Sequence, residues 1–205
     1  GNVDYVDVDP SIYPVYSSNP DLKDQMHGFQ PTGCYSLNVN SKTYSDPKVR
    51  EAIALSIDRK AICESILHGT ATVPNSYIPA GIIGHDDSLP EFEYDPEKAK
   101  SLLAEAGYPD GYDLRITVNT KYPTSLTIAT AVQAQMAEAG IRVEIEQVDS
   151  AAWTDMKKAG GVTCGIGNWY VDYNDPDSML YPMSDGRTDL TSSFWHNDEF
   201  KQLMI

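Results

Sequence analysis

The segment 112–148 constrains the fold more than any other part of this chain. Leu114, Ile116 and Val118 alternate with polar residues, so one face of an extended segment is apolar. A helical pattern follows, starting at Thr124 or Ser125 and running through Ile128, Ala131, Val132, Gln135, Met136 and Ala139 to a stop at Gly140. Ile141, Val143, Ile145 and Gln147 then form one face of a second strand. Strand, helix, strand in that order defaults to a right-handed parallel crossover, which needs a sheet with helical cover.

The flanking segments supply the rest of an α/β layer arrangement. Residues 33–39 read as a strand with Tyr35, Leu37 and Val39 on one face. Asp46-Pro47 opens a helix whose buried stripe is Val49, Ala52, Ile53 and Ser56-Ile57, and Arg59–Leu67 forms another, stopped by Gly69 after His68. Residues 70–93 are irregular. Asp95-Pro96 starts a helix with Ala99, Leu102, Leu103 and Ala106 inward, ended by Gly107. Ala151–Ala159 is a short helix, 162–169 a further strand, and 198–205 the start of a last helix. The expected fold is an α/β domain with a central sheet covered by helices.

Just after the last strand the chain runs Trp169-Tyr170-Val171-Asp172-Tyr173-Asn174-Asp175-Pro176-Asp177, three rings and three carboxylates in nine residues. Ring faces with a fixed carboxylate suit a ligand with a cationic end. A solvated Asp-rich turn beside core aromatics reads the same way. Gly165 and Gly167 within the strand let another backbone approach closely. Asp175, or Asn174, is placed to cap a helix starting near Pro176, with Asp177 in its first turn.

Charge narrows the partners. The 205 residues carry 30 acidic against 15 basic side chains, a net charge of −15, which repels phosphate backbones and argues against nucleic acid. The thirteen tyrosines against four phenylalanines favour rings that serve clefts as well as cores. Three cysteines leave at least one free thiol; Cys63 reads as a small buried hydrophobe, and a Cys34–Cys164 bridge is an option that sequence alone does not decide. The scattered histidines, His27, His68, His85 and His196, give no metal spacing, and no cofactor is implied. No eighteen-residue apolar run is present. Both ends read as cut, so a fragment of a longer protein is expected.

Three segments in register resemble one family. The first is Asn38-Val39-Asn40, Ser45-Asp46-Pro47-Lys48-Val49-Arg50-Glu51-Ala52-Ile53 and Ile57-Asp58-Arg59-Lys60. The second is Tyr94-Asp95-Pro96-Glu97-Lys98-Ala99-Lys100 with Leu102-Leu103, Ala106-Gly107-Tyr108 and Asp110-Gly111. The third is Gly140-Ile141, Val143-Glu144-Ile145, Trp153 and the Trp169–Pro176 run. Together they resemble the family 5 extracellular solute-binding proteins, the oligopeptide- and dipeptide-binding subunits of ABC importers.

The resemblance implies a periplasmic-binding-protein-like lobe, a mixed central sheet flanked by helices. It implies that residues 1–30 are an entry segment from the hinge or other lobe. Residues 31–205 are then the C-terminal ligand-binding lobe, domain III, cut before the chain returns to the N-terminal lobe. It further implies a monomeric receptor outside the cytoplasm, often a lipoprotein, closing two lobes on a peptide and handing it to the permease subunits. Nickel chelates, sugars and other small solutes are alternative ligands in the family. By the same resemblance Asp172 meets a ligand α-ammonium, Trp169, Tyr170 and Tyr173 form the aromatic wall, and Tyr77 is a contact from the loop 74–85 at the cleft mouth. Relatives that place a basic residue just before the Trp use it for the peptide carboxylate; residues 161–168 contain no Arg or Lys. The carboxylate partner is then Arg187, a group of the absent lobe, or none. Asp46, Arg50 and Asp58 read as structural, with Arg50 and Asp58 as candidates for an inter-helix pair. A hydrolase using Asp172 and Asp175 as acid and base is the enzymatic alternative, and no GxSxG, HExxH or P-loop accompanies it.

Overall fold

The computed structural model describes residues 8–22, 24, 26, 33–91, 93–184 and 195–203. A 3-10 turn at Pro10–Ile12 and the short helix α1 (Tyr13–Ser17) precede strand β1 (Gly33–Val39). Helix α2 (Pro47–Leu55) begins where the Asp46 carboxylate accepts the Lys48 N–H at 2.8 Å and Pro47 takes the first helical position. Asp58 does the same for α3 (Arg59–Ala61), accepting the Ala61 N–H at 2.9 Å. That helix widens into a π-turn over Ile62–Ile66 and ends with both His68 (φ 51°) and Gly69 (φ 72°) in the left-handed region. Residues 70–91 contain no helix or strand. Helix α4 (Pro96–Glu105) is capped by Asp95, which accepts the Lys98 N–H at 2.8 Å.

Then come strand β2 (Tyr112–Asn119), helix α5 (Pro123–Glu138) and strand β3 (Ile141–Val148). Helix α6 (Ser150–Ala159) leads to strand β4 (Cys164–Tyr170), followed by α7 (Asp177–Ser184) and α8 (Asp198–Leu203). The sheet order is β1-β4-β2-β3. β2 and β3 are parallel, with Leu114 opposite Val143 and Ile116 opposite Ile145, as the crossover pattern requires. β4 runs parallel to β2 on its other side, and β1 closes that edge antiparallel to β4. From β2 the chain therefore crosses outward to β3, then back past β2 to β4. The β2–β4 boundary is a topological switch point, where crevices open at the carboxyl ends of strands.

The core is one continuous cluster: Val49 and Ile53 of α2, Leu103 of α4, Ile116 of β2, Met136 of α5 and Ile141 of β3 are each at most 2% exposed. Each such side chain contributes about 1.5–3 kcal/mol on burial, which outweighs weak local propensity. Tyr35, Leu37 and Val39 pack on this core from β1. The alternate residues Ser36 and Asn38 face the opposite side, where α6 lies.

Five expectations are corrected. Helix α5 starts at Pro123, before Thr124, because the Thr124 hydroxyl donates to the Asp9 carboxylate at 2.8 and 3.0 Å rather than capping. Gln147 is exposed, since β3 is an edge strand with one neighbour. A Cys34–Cys164 bridge does not form: Cys34 pairs opposite Trp169 and Cys164 opposite Val39, five positions apart in the ladder. At about 3.4 Å per residue that is ~17 Å, against a Cα reach of about 7 Å for a disulfide. Arg50 does not pair with Asp58 either; its guanidinium donates to the Tyr44 and Ser45 carbonyls at 2.7 and 2.8 Å, while Asp58 caps α3. Cys63 is half-buried rather than a core residue.

Candidate functional site

The glycines of β4 shape the site. A Cβ on Gly165 would stand 2.8 Å from Val162 Cγ1, 3.0 Å from the Trp153 ring and 3.5 Å from the Thr117 carbonyl oxygen. Gly165 thus lets the edge of the Trp153 indole of α6 come close to the strand. At Gly167 the nearest group is the Asn38 amide nitrogen, 3.4 Å from where a Cβ would stand. The close approach read from these glycines is made chiefly by side chains. Trp153 provides bulk that a larger residue on the strand would push away.

Thr117 pairs with Gly165 between β2 and β4. Beyond that pair a cavity of about 290 Å³ opens, lined by Asn119 from β2 and by Gly167 and Trp169 from β4. Asn119 holds its far wall: its side-chain Oδ1 accepts the Lys121 N–H at 3.0 Å and the Ser150 hydroxyl at 3.2 Å, joining the turn after β2 to the start of α6. Trp153, Thr154 and Lys157 of α6 and Lys121 and Tyr122 after β2 complete the walls.

Ser178, buried at 5% exposure in α7, fixes the rim. Its carbonyl accepts the Trp169 indole N–H at 2.9 Å, and its hydroxyl accepts the Asp172 N–H at 2.7 Å. The backbone at Asp172 is pinned while the side chain stands exposed on the turn. The Asp175 carboxylate accepts the Asp177 N–H at 2.9 Å, the structural cap expected of it. The Tyr173 hydroxyl donates to Asp177 at 2.7 Å, and this bond holds the phenol above its usual range.

A larger cavity of about 760 Å³ lies on the other side of β1, under the loop that includes residues 71–80. Tyr35, Leu37, Cys34, Cys63 and Tyr77 line it. Burial pushes the Cys34 thiol up to about 11 and raises Cys63 and Tyr77, so all three are neutral at pH 7. His85 clips the loop: its ring nitrogens lie 2.8 Å from the Ile78 carbonyl and 3.0 Å from the Asp87 carboxylate. Both partners are acceptors, so the full clip requires imidazolium, and the Ile78 and Asp87 oxygens raise the ring's affinity for its proton.

The expected ligand residues therefore divide. Trp169 lines the smaller cavity, Tyr170 the larger, and Tyr77 both. Asp172 and Tyr173 line neither and stand on the adjoining turn. Arg187 lies outside the described residues. Lys121, Lys157 and Ser178 were not singled out from the sequence. Lys157 shares a helix face with Trp153 at i+4 spacing, which is the one local signal that placed it near a ring. Among the described residues no group of three His, Cys, Asp or Glu side chains is placed to hold a metal, and no helix is long and apolar enough to cross a membrane.

The chain is 31% identical over 176 residues to heme-binding protein A of Haemophilus influenzae, covering 82% of this chain and 32% of that protein. It is 31% identical over 173 residues to the glutathione-binding protein of Salmonella choleraesuis, covering 80% and 34%. It thus spans about a third of the length of these relatives. Among solved structures, a periplasmic binding protein of Helicobacter pylori in complex with the peptide STSA superposes with a TM-score of 0.76 at 28% identity, over 84% of this chain and 35% of that one. The model of the bacterial extracellular solute-binding proteins, family 5 Middle, matches residues 1–190, and the chain belongs to that family.

Proposed function

We propose that this chain is the ligand-closing lobe of an extracytoplasmic receptor that captures peptides for an ABC importer. The observation that carries the reading is the cavity at the β2–β4 switch point, walled by Trp153 and Trp169, in a chain of the solute-binding family. Relatives named for binding glutathione and dipeptides, and a neighbour solved with a bound peptide, favour a peptide over other solutes. The remaining two-thirds of the protein supplies the second wall, the water exclusion on closure and the permease contacts. Asp172 is the group that meets the ligand's ammonium. Its backbone is anchored by Ser178, its carboxylate is exposed beside the Trp169 rim, and a charge-assisted bond there strengthens as the cleft dries. The receptor binds its ligand without turning it over.

Native mass spectrometry of the full-length protein, purified without refolding, tests this reading. A co-purifying peptide is expected. A bound non-peptide solute would overturn the peptide assignment, and turnover of a peptide panel would overturn binding as the function.

A further inference from the structure

We infer that His85 is a positioning residue for the ligand site: its ring holds Tyr77 in the wall of the β2–β4 cavity, so that ligand affinity falls as pH rises. This rests on reading that cavity as the ligand site and adds how the site is regulated. Tyr77 is half-buried in the irregular segment 70–91 and lines both cavities. It belongs to neither the sheet nor a helix, so its place depends on what ties that segment down.

Two ties flank Tyr77. On one side the Asn75 amide donates to the Asp86 carbonyl at 2.8 Å and to the Leu89 carbonyl at 3.3 Å. On the other, His85 Nδ1 lies 2.8 Å from the carbonyl of Ile78, the residue next to Tyr77, and Nε2 lies 3.0 Å from the Asp87 carboxylate. The asparagine tie does not titrate and the histidine tie does. Imidazolium donates from both nitrogens. A neutral ring keeps the Ile78 bond only as its Nδ1–H tautomer, without charge assistance, which roughly halves the bond's strength, and it then turns a lone pair on Asp87. The Ile78 carbonyl, Asp87 and Asp86 all raise the ring's proton affinity. The tie is therefore complete below the ordinary value of 6.5 and weakens as pH rises through the higher folded value.

The other charged groups lining the larger cavity with His85 are engaged elsewhere. Arg50 donates to the Tyr44 and Ser45 carbonyls, Arg59 to the Ala54 and Ile57 carbonyls, and Glu91 pairs with Lys60 at 3.5 Å. The Cys34 and Cys63 thiols and the Tyr35 and Tyr77 phenols are raised by burial and stay neutral near pH 7. His85 is thus the group on this wall whose charge changes near neutral pH.

The test is titration calorimetry of the full-length receptor with trialanine from about pH 5.5 to about pH 8, bracketing the ordinary histidine value, in wild type and His85→Gln. The peptide's own amine titrates alike with both proteins, so the ratio of the two affinities isolates His85. Wild-type affinity relative to the variant is expected to fall about two- to fivefold over this range, the scale of a hydrogen bond that loses its charge. In a Tyr77→Ala background the same ratio should be flat. Hydroxyl-radical labelling of Tyr77, read by mass spectrometry without peptide, should rise with pH in wild type and not in His85→Gln. A flat ratio, a ratio that still varies without Tyr77, or flat Tyr77 labelling overturns the inference and leaves peptide capture intact. Absence of trialanine binding at every pH counts against the peptide reading, and the labelling then decides the positioning role alone.

Discussion

Gly165→Ala is the sharpest test of how β4 builds the site. The added methyl would lie 2.8 Å from Val162 Cγ1 and 3.0 Å from the Trp153 ring. Val162 is 1% exposed and β-branched, so it has no free rotamer to retreat into. Overpacking of this kind costs about 1–3 kcal/mol. Reduced unfolded-state freedom on replacing glycine returns about 0.4–1 kcal/mol. The net expectation is a loss of about 1–2 kcal/mol, with the Trp153 indole displaced toward the cavity. Gly167→Ala is the matched control. Its methyl meets only the Asn38 amide, at 3.4 Å, so stability should stay within about 0.5 kcal/mol of wild type. Chemical denaturation gives both stabilities, and tryptophan emission reports the indole's surroundings. If Gly165→Ala matched Gly167→Ala in both readouts, the seating of Trp153 on β4 would be refuted.

Two further outcomes follow from single contacts. Ser178→Ala removes the hydroxyl that accepts the Asp172 N–H but leaves the carbonyl that accepts the Trp169 indole. A stability loss of about 1 kcal/mol and faster hydrogen exchange at Asp172 are expected, with Trp169 unmoved; unchanged exchange would contradict the anchoring role. His85 titrates above its ordinary 6.5 in the folded state because the Ile78 carbonyl and the Asp87 carboxylate favour imidazolium. Since the folded value is the higher one, the clip's contribution is complete below about pH 6.5 and is lost as pH rises through the folded value. Exchange in residues 76–87 should accelerate over that range in wild type and not in His85→Gln; a flat wild-type profile would rule the clip out.

Much of the fold was legible because it rests on local periodicity and on caps. The alternation at Leu114, Ile116 and Val118, the stop at Gly140 and the resumption at Ile141 specify two parallel strands, and Asp46, Asp58, Asp95 and Asp175 each accept an N–H at a helix start. What was not legible depends on register and on long-range placement. Cys34 and Cys164 were candidates for a bridge until the antiparallel pairing put them at opposite ends of the ladder. Lys121 and Lys157 lie 36 positions apart and meet at one cavity only because the chain crosses back from β3 past β2 to β4. Ser178 works through both its hydroxyl and its carbonyl, and nothing in residue type marks that. The aromatic and acidic run follows β4, with Trp169 lining the smaller cavity and Tyr170 the larger. The division within it, with Asp175 and Tyr173 engaged in the helix start, depends on contacts that residue type does not specify.

The most direct test of the receptor reading is titration calorimetry of the full-length protein with a peptide and its N-acetylated form, in wild type and in Asp172→Ala. A wild-type preference for the free amine of about 2–3 kcal/mol, the scale of a lost charge-assisted bond, is predicted to vanish in the variant. Equal affinity of the wild type for both forms, or a preference that persists without Asp172, would contradict the account.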